Sequence, residues 1–132
     1  MIGSPEVPLG RGRQELRAAG VLLEAGYPAQ AVSRAYLAGL NAATAALAVL
    51  GEEPATEVGV ISAFGRHVVG QNGIDHEIGR ILRRLYEDRN EVDHGLIEPP
   101  AGEASGAVDD ARRFVEAAAV WIGERWSGRA RA

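Results

Sequence analysis

Ala31, Ala35, Ala38, Ala42, Ala45 and Ala46 recur at three- and four-residue spacing, so they share one face of a helix. A face of side chains this small admits another helix at close range. With Leu37, Leu40, Leu47 and Leu50 beside it, this band predicts a packing helix over residues 28–50. Pro28 suits its first turn, where the missing amide hydrogen costs nothing, and Gly51 supplies a stop.

The rest of the chain keeps the same period. Leu16, Ala19, Leu22 and Leu23 mark a first helix that ends at Gly26. The loop GEEPAT leads to a shorter helix near residues 57–69, carrying Val60, Ile61, Phe64 and Val68. The turn GQNGI leads to Asp75, an N-cap candidate for a fourth helix with Ile78, Ile81, Leu82, Leu85 and Val92 on its buried side. That helix ends near Gly95, before the breaker IEPPAG. A last helix, roughly residues 103–126, would bury Ala107, Ala111, Phe114, Val115, Ala118, Trp121 and Ile122. No segment alternates with period two, and no internal repeat is visible. The expectation is an all-α antiparallel bundle of four long helices plus a shorter one, in a single domain over residues 9–127. Residues 1–8, with Gly3, Pro5 and Pro8, read as a flexible leader, and residues 128–132 as a flexible tail.

Composition removes several classes of function. At 132 residues, with 46% hydrophobic and 24% charged side chains, the chain suits one globular domain rather than a disordered one. Its apolar runs are short, whereas a membrane span needs about 20 residues, and the N-terminus lacks the pattern of a secretory signal. The absence of cysteine excludes disulfides and thiolate metal sites, which fits a cytoplasmic setting. A net charge of −4 argues against a nonspecific nucleic-acid coat and leaves a local basic cleft open.

Chemistry concentrates in RNEVDHG, residues 89–95. Asn90 and His94, four apart, share a helix face, and Arg89 can pair with Asp93 in the same way. Arg89 and His94 are five apart, about 140° around the axis, and do not stack directly. One reading is a solvated helix end, with His94 at the negative pole of the helix dipole. A second is a metal half-site, because Glu91 and His94 form the Glu-x-x-His spacing of di-iron bundles. The chain carries only one such motif, and no auxiliary carboxylate can be placed; His67 and His76 read as ordinary surface or partly buried histidines.

A third reading comes from resemblance. Arg89-Asn90-x-x-x-His94 matches the Arg-x4-His motif of HEPN domains, including the polar residue that often follows the arginine in their nuclease-type members. The flanks agree in order. AVSRAYLAGLNAATAAL (31–47) resembles the second helix of small bacterial HEPN proteins, GVISAFGRHVV (59–69) their third segment, and IDHEIGRILRRLYEDRNEVDHG (74–95) their motif helix. The resemblance implies a helical bundle that dimerises with its motif helices facing, and a metal-independent endoribonuclease without a cofactor. Arg89 and His94 would then be the catalytic pair and Asn90 a polar helper. The pair suits that chemistry, since histidine moves protons near neutral pH and arginine presents a planar fork to phosphoryl oxygens.

Arg80, Arg83 and Arg84 lie earlier on the same helix, and Arg80 with Arg84 would form a basic ridge toward the motif unless Glu77, Glu87 and Asp88 neutralise it. Tyr86 is a candidate for stacking on a base or for packing; Arg34 and Tyr36 read as packing or buried hydrogen-bonding residues. The partners implied are a second copy, RNA as substrate, and a nucleotidyltransferase-type antitoxin if the chain is the toxin of a toxin-antitoxin pair. Some HEPN toxins receive AMP on a tyrosine two positions after the motif histidine; that position here is Leu96, so neutralisation by binding fits this chain better. The rival expectation is a noncatalytic HEPN interaction or nucleotide-binding module that binds a nucleotidyltransferase partner or nucleic acid through the same face.

Overall fold

The computed structural model describes residues 3–70, 73–95 and 98–126. Five helices account for most of them: α1 (Glu6–Glu24), α2 (Pro28–Val49), α3 (Glu57–His67), α4 (His76–Asp93) and α5 (Ala101–Trp126). The all-α bundle of four long helices and one shorter helix is therefore observed. The sole β feature among the described residues is an isolated bridge between Val69 and Ile74.

The central helix is α2, which the other four all contact. All six alanines of its band are fully buried. At the crossing with α1 the approach is close enough that a Cβ on Gly12 would lie 3.0 Å from the Ala38 carbonyl oxygen. On an adjoining face of α2, Gly39 meets Leu82 and Leu85 of α4 and Phe114 of α5. Phe64 of α3 meets Phe114 with ring centroids 5.1 Å apart, which brings α3 and α5 into the same core.

Local signals set most of the helix ends. After α1, Gly26 adopts φ 87°, which lets Tyr27 N–H reach the Leu22 carbonyl and Gly26 N–H the Leu23 carbonyl, the Schellman arrangement. Thr56 caps α3 by accepting the Gly59 amide at 2.9 Å. Asp75 occupies the N-cap position of α4 but makes no side-chain cap bond, so the expected cap acts only through its backbone. Here Ile74 N–H bonds back to Val68, and that turn positions the helix start instead.

The first eight residues are not a loose leader throughout. Helix α1 begins at Glu6, Pro5 is among the most deeply buried residues, and Gly3 N–H donates to the Ala48 carbonyl at 2.8 Å. Proline immediately before or within a first turn is compatible with a helix because that turn has no upstream carbonyl to bind. At the other end, α5 starts at Ala101, where Pro100 offers its carbonyl to the Ala104 amide. The expected tail at 128–132 and Leu96 lie outside the described residues. No helix among those described is long and apolar enough to cross a membrane.

Candidate functional site

The motif occupies the last turn and a half of α4, beside the first turn of α3 and the early turns of α2. Thr56 starts α3 so that Glu57 becomes its first residue, where the helix dipole favours a carboxylate. Arg89 of α4 reaches across to it, with Nη2 2.9 Å from Glu57 Oε1. The guanidinium carbon sits 4.5 Å above the Tyr36 ring and 5.9 Å from the Tyr86 centroid. Tyr36, fully buried, donates its hydroxyl to the same Glu57 oxygen at 2.9 Å. One carboxylate and two aromatic rings thus hold this side of the arginine.

The other edge of Arg89 is also held. Its Nε lies 3.3 Å from Asp93 Oδ2 and 3.3 Å from Asn90 Oδ1. Asp93 is in turn tied to α2 by Ser33, whose hydroxyl donates to Asp93 Oδ1 at 3.1 Å. Among the described residues, Nη1 alone of the three guanidinium nitrogens has no protein partner. The Arg89 side chain is only 18% exposed, so a small part of the fork faces outward while the rest is clamped.

Burial alone would lift the Glu57 carboxyl, but the hydrogen bonds from Tyr36 and Arg89 outweigh it and hold the group below its ordinary range. For Tyr36, burial and then the Glu57 bond both push the phenol well above its usual value. Burial works against the Arg89 charge, yet Glu57 overrides it and the guanidinium is more firmly protonated than usual. The triad is therefore anion, neutral phenol and cation at neutral pH.

His94 forms the C-cap of α4 and is exposed. Gly95 follows with φ 71°, a left-handed turn that ends the helix there and brings its amide back to the Val92 carbonyl. The His94 Nδ1 lies against the Asn90 backbone carbonyl. A carbonyl can only accept, so in the neutral ring Nδ1 carries the hydrogen and Nε2 keeps its lone pair. Asn90 therefore divides its work: the backbone oxygen orients His94 and the side-chain oxygen receives Arg89.

The remaining expected site residues separate. Tyr86 packs against Tyr36 with centroids 5.8 Å apart, as part of the wall beneath Arg89. Arg84 turns toward α5 and meets Asp110 at 3.4 Å, whereas Arg80 lines a groove between α4 and α3 with Arg83. The expected ridge of Arg80 and Arg84 is thus split between two sides of α4. Of the proposed neutralising partners, Glu77 pairs instead with Arg113 of α5, whereas Arg84 meets Asp110 and also acts on the charge of Asp88. Asp88 sits near Glu91, Glu103 and Glu87; burial first, then those charges, raise its carboxyl above the ordinary range.

Tyr36 takes the buried hydrogen-bonding place read from the sequence. Arg34 does not: its side chain is 48% exposed and bridges to Glu15 of α1 at 3.0 Å. His67 is exposed and lies 3.3 Å from Glu52, and His76 is exposed. Among the described residues no three of His, Cys, Asp or Glu converge as a metal site, so Glu91 and His94 gain no third ligand from these residues. Sequence reasoning missed Glu57 altogether. The local signal was only an acidic residue following a threonine cap, and its partner Arg89 is 32 residues away.

Comparison with known proteins places this chain in a family. The model of the HEPN domain matches residues 6–121. A Methanocaldococcus jannaschii protein bearing the name "Putative toxin MJ0605" is 33% identical over 103 residues, 78% of this chain and 77% of that protein. A Pyrococcus horikoshii protein named "UPF0332 protein PH1297" is 36% identical over 76 residues, 58% of this chain and 54% of its own length. With the motif on α4, the order of helices and a match over most of its length, the chain belongs to the HEPN domain family.

Proposed function

We propose that the protein is a metal-independent endoribonuclease whose working site is composed of Arg89 and His94 from two copies related by a two-fold axis. The observation that carries this reading is the preparation of the two side chains for different tasks. Arg89 is fixed on three sides with Nη1 left for an oxygen ligand, and His94 presents the lone pair of Nε2 outward.

In the proposed reaction, His94 Nε2 takes the proton from the ribose 2'-hydroxyl, and that oxygen forms a bond to the adjacent phosphorus. The bond from phosphorus to the 5'-oxygen breaks, and the leaving oxygen receives a proton from the His94 imidazolium of the second copy. The products are a 2',3'-cyclic phosphate and a 5'-hydroxyl. Arg89, through Nη1, holds a phosphoryl oxygen as negative charge gathers on the phosphorane, a role that suits a preorganised permanent cation. Each chain has one such motif, and a two-fold axis supplies a base and an acid from the same residue type.

The name of the M. jannaschii relative supports a toxin role, and an antitoxin that binds this face would silence it without modifying Leu96. A second reading is also favoured by a specific feature. Arg89 already faces two carboxylates, Glu57 and Asp93, so the motif of a single chain is electrostatically satisfied and would serve a noncatalytic HEPN module that binds a nucleotide or a nucleotidyltransferase.

Cleavage of a mixed RNA pool in excess chelator separates the two. The nuclease reading expects 2',3'-cyclic phosphate ends, with activity lost in Arg89→Ala and His94→Ala proteins that remain folded. No cleavage by folded wild-type dimer would assign the binding-module reading, and activity that needs added metal would return attention to Glu91 and His94.

A further inference from the structure

Away from the motif, positive charge collects in a groove of about 460 Å³ between α3 and α4. Arg66 and Ser62 line it from α3, and His76, Arg80 and Arg83 from α4. On α4 and α5, Arg84, Arg89, Arg112, Arg113 and Arg125 each lie near a carboxylate. Arg66, Arg80 and Arg83 form no ion pair among the described residues. In a chain of net charge −4, three guanidinium groups left without carboxylates in one concavity form a local field that attracts anions.

Two glycines, Gly65 of α3 and Gly79 of α4, are among the residues that line the groove. At Gly79, Val69 is pressed so close to α4 that a Cβ would meet its Cγ2 at 2.6 Å, which keeps the helix ends together. At Gly65 a Cβ would meet nothing within 4 Å, so the concavity is open above α3.

Arg80 and Arg83 lie one turn apart on α4 and Arg66 lines the groove from α3, so the cations border a channel on both sides, an arrangement that suits a polyanion laid along it. At 100° per residue, His76, Arg80, Arg83, Asn90 and His94 fall within an arc of about 80° on α4, which also holds the exposed Glu87 between Arg83 and Asn90. The face that lines the groove is therefore the face that ends at His94. Arg83 and His94 are about 17 Å apart along the axis, a span of a few nucleotides.

We propose that this groove binds the phosphodiester backbone of single-stranded RNA flanking the bond to be cut, with Arg66, Arg80 and Arg83 as its phosphate contacts. The inference rests on the ribonuclease reading for its connection to His94. Arginine forks match phosphoryl oxygens in pairs, and Ser62 adds a hydroxyl donor. An acidic peptide would meet the same charges without any reason to continue along α4 to His94.

The test is fluorescence anisotropy of a labelled, unstructured RNA oligonucleotide with the His94→Ala protein, which keeps the groove and removes the proposed proton acceptor. Adding Arg66→Gln, Arg80→Gln and Arg83→Gln together should weaken binding at least tenfold. It should also flatten the slope of log affinity against log salt by about 2, three phosphate contacts on a single strand. Gly65→Glu is the second variant. It places a carboxylate in open space and replaces a mid-helix glycine with a better helix former, so weakened binding there is not unfolding.

Unchanged affinity in both variants, no binding by the parent, or equal competition by polyglutamate would overturn the RNA assignment. The two readings fail separately. Wild type that never cuts RNA while the groove variants lose binding would defeat the nuclease and keep the groove. Wild type that cuts, with groove variants that retain both affinity and KM, would do the reverse.

Discussion

Arg89 and Tyr36 are coupled twice. The guanidinium lies 4.5 Å above the phenol ring, and the ring's hydroxyl donates to the Glu57 oxygen that Arg89 also binds. A cation at the edge of the core is thus oriented by a side chain buried within it. The arrangement explains how an arginine can be fixed in direction and still face outward.

Tyr36→Phe separates the two couplings, since it keeps the ring under Arg89 and removes the hydroxyl. The loss expected in urea unfolding is about 1 kcal/mol, because Glu57 is partly exposed and water can replace the donor. RNA cleavage should fall only severalfold. Tyr36→Ala removes the platform as well and should cost about 3–5 kcal/mol. An unchanged midpoint for Tyr36→Phe would show that the Glu57 bond contributes nothing to folding.

Glu57 ties stability to acidity with a definite sign. Its folded-state pKa is depressed below the ordinary 4.5, so its contribution is complete above that value and is lost as pH falls through the lower folded value. Wild type should melt above Glu57→Gln at neutral pH. That difference should shrink only below about pH 4.5, as thermal melts across the acid range would show. A gap that persists undiminished into strong acid would mean that charge is not the source.

Two glycines of α1 should respond in opposite directions to the same change. At Gly12 an added methyl meets the α2 backbone at 3.0 Å, so Gly12→Ala should destabilise by about 1–2 kcal/mol even though alanine is the better helix former. At Gly20 nothing lies within 4 Å, and Gly20→Ala should stabilise by up to about 1 kcal/mol. Denaturant midpoints of the two variants check the close approach of α1 to α2 directly.

Asn90 should behave as a positioning residue. Asn90→Ala leaves the backbone carbonyl that holds His94 and removes the oxygen that receives Arg89. About a tenfold fall in kcat with KM little changed is the expected result, milder than for Arg89→Ala or His94→Ala. A loss as complete as theirs would mean that the Asn90 side chain touches the reacting groups.

The parts of this molecule legible in the sequence were those set by neighbours along the chain. The alanine face of α2, the glycines that end α1 and α4, and the Arg89 to Asp93 pair all follow from spacing within one helix. Glu57 was illegible because its value to the site depends on a crossing between α3 and α4 that no local pattern encodes. Arg80 and Arg84 show the same limit. Four residues apart, they differ by about 40° around the axis, and flanking helices on either side of α4 turn that small angle into two separate environments. Asp75 was a sound cap by type, but the Ile74 to Val68 hydrogen bond had already fixed the helix start.

The central claim is that two copies share one RNA-cutting site, and subunit mixing tests it most directly. Wild type is exchanged at equal ratio with protein carrying both Arg89→Ala and His94→Ala, and RNA cleavage is compared with that of wild type alone at the same total protein concentration. If both motifs must meet across the axis, only wild-type pairs work and activity should fall to about a quarter. Activity at about half would show that each chain cuts alone, and no cleavage from the unmixed wild-type dimer would contradict the account altogether.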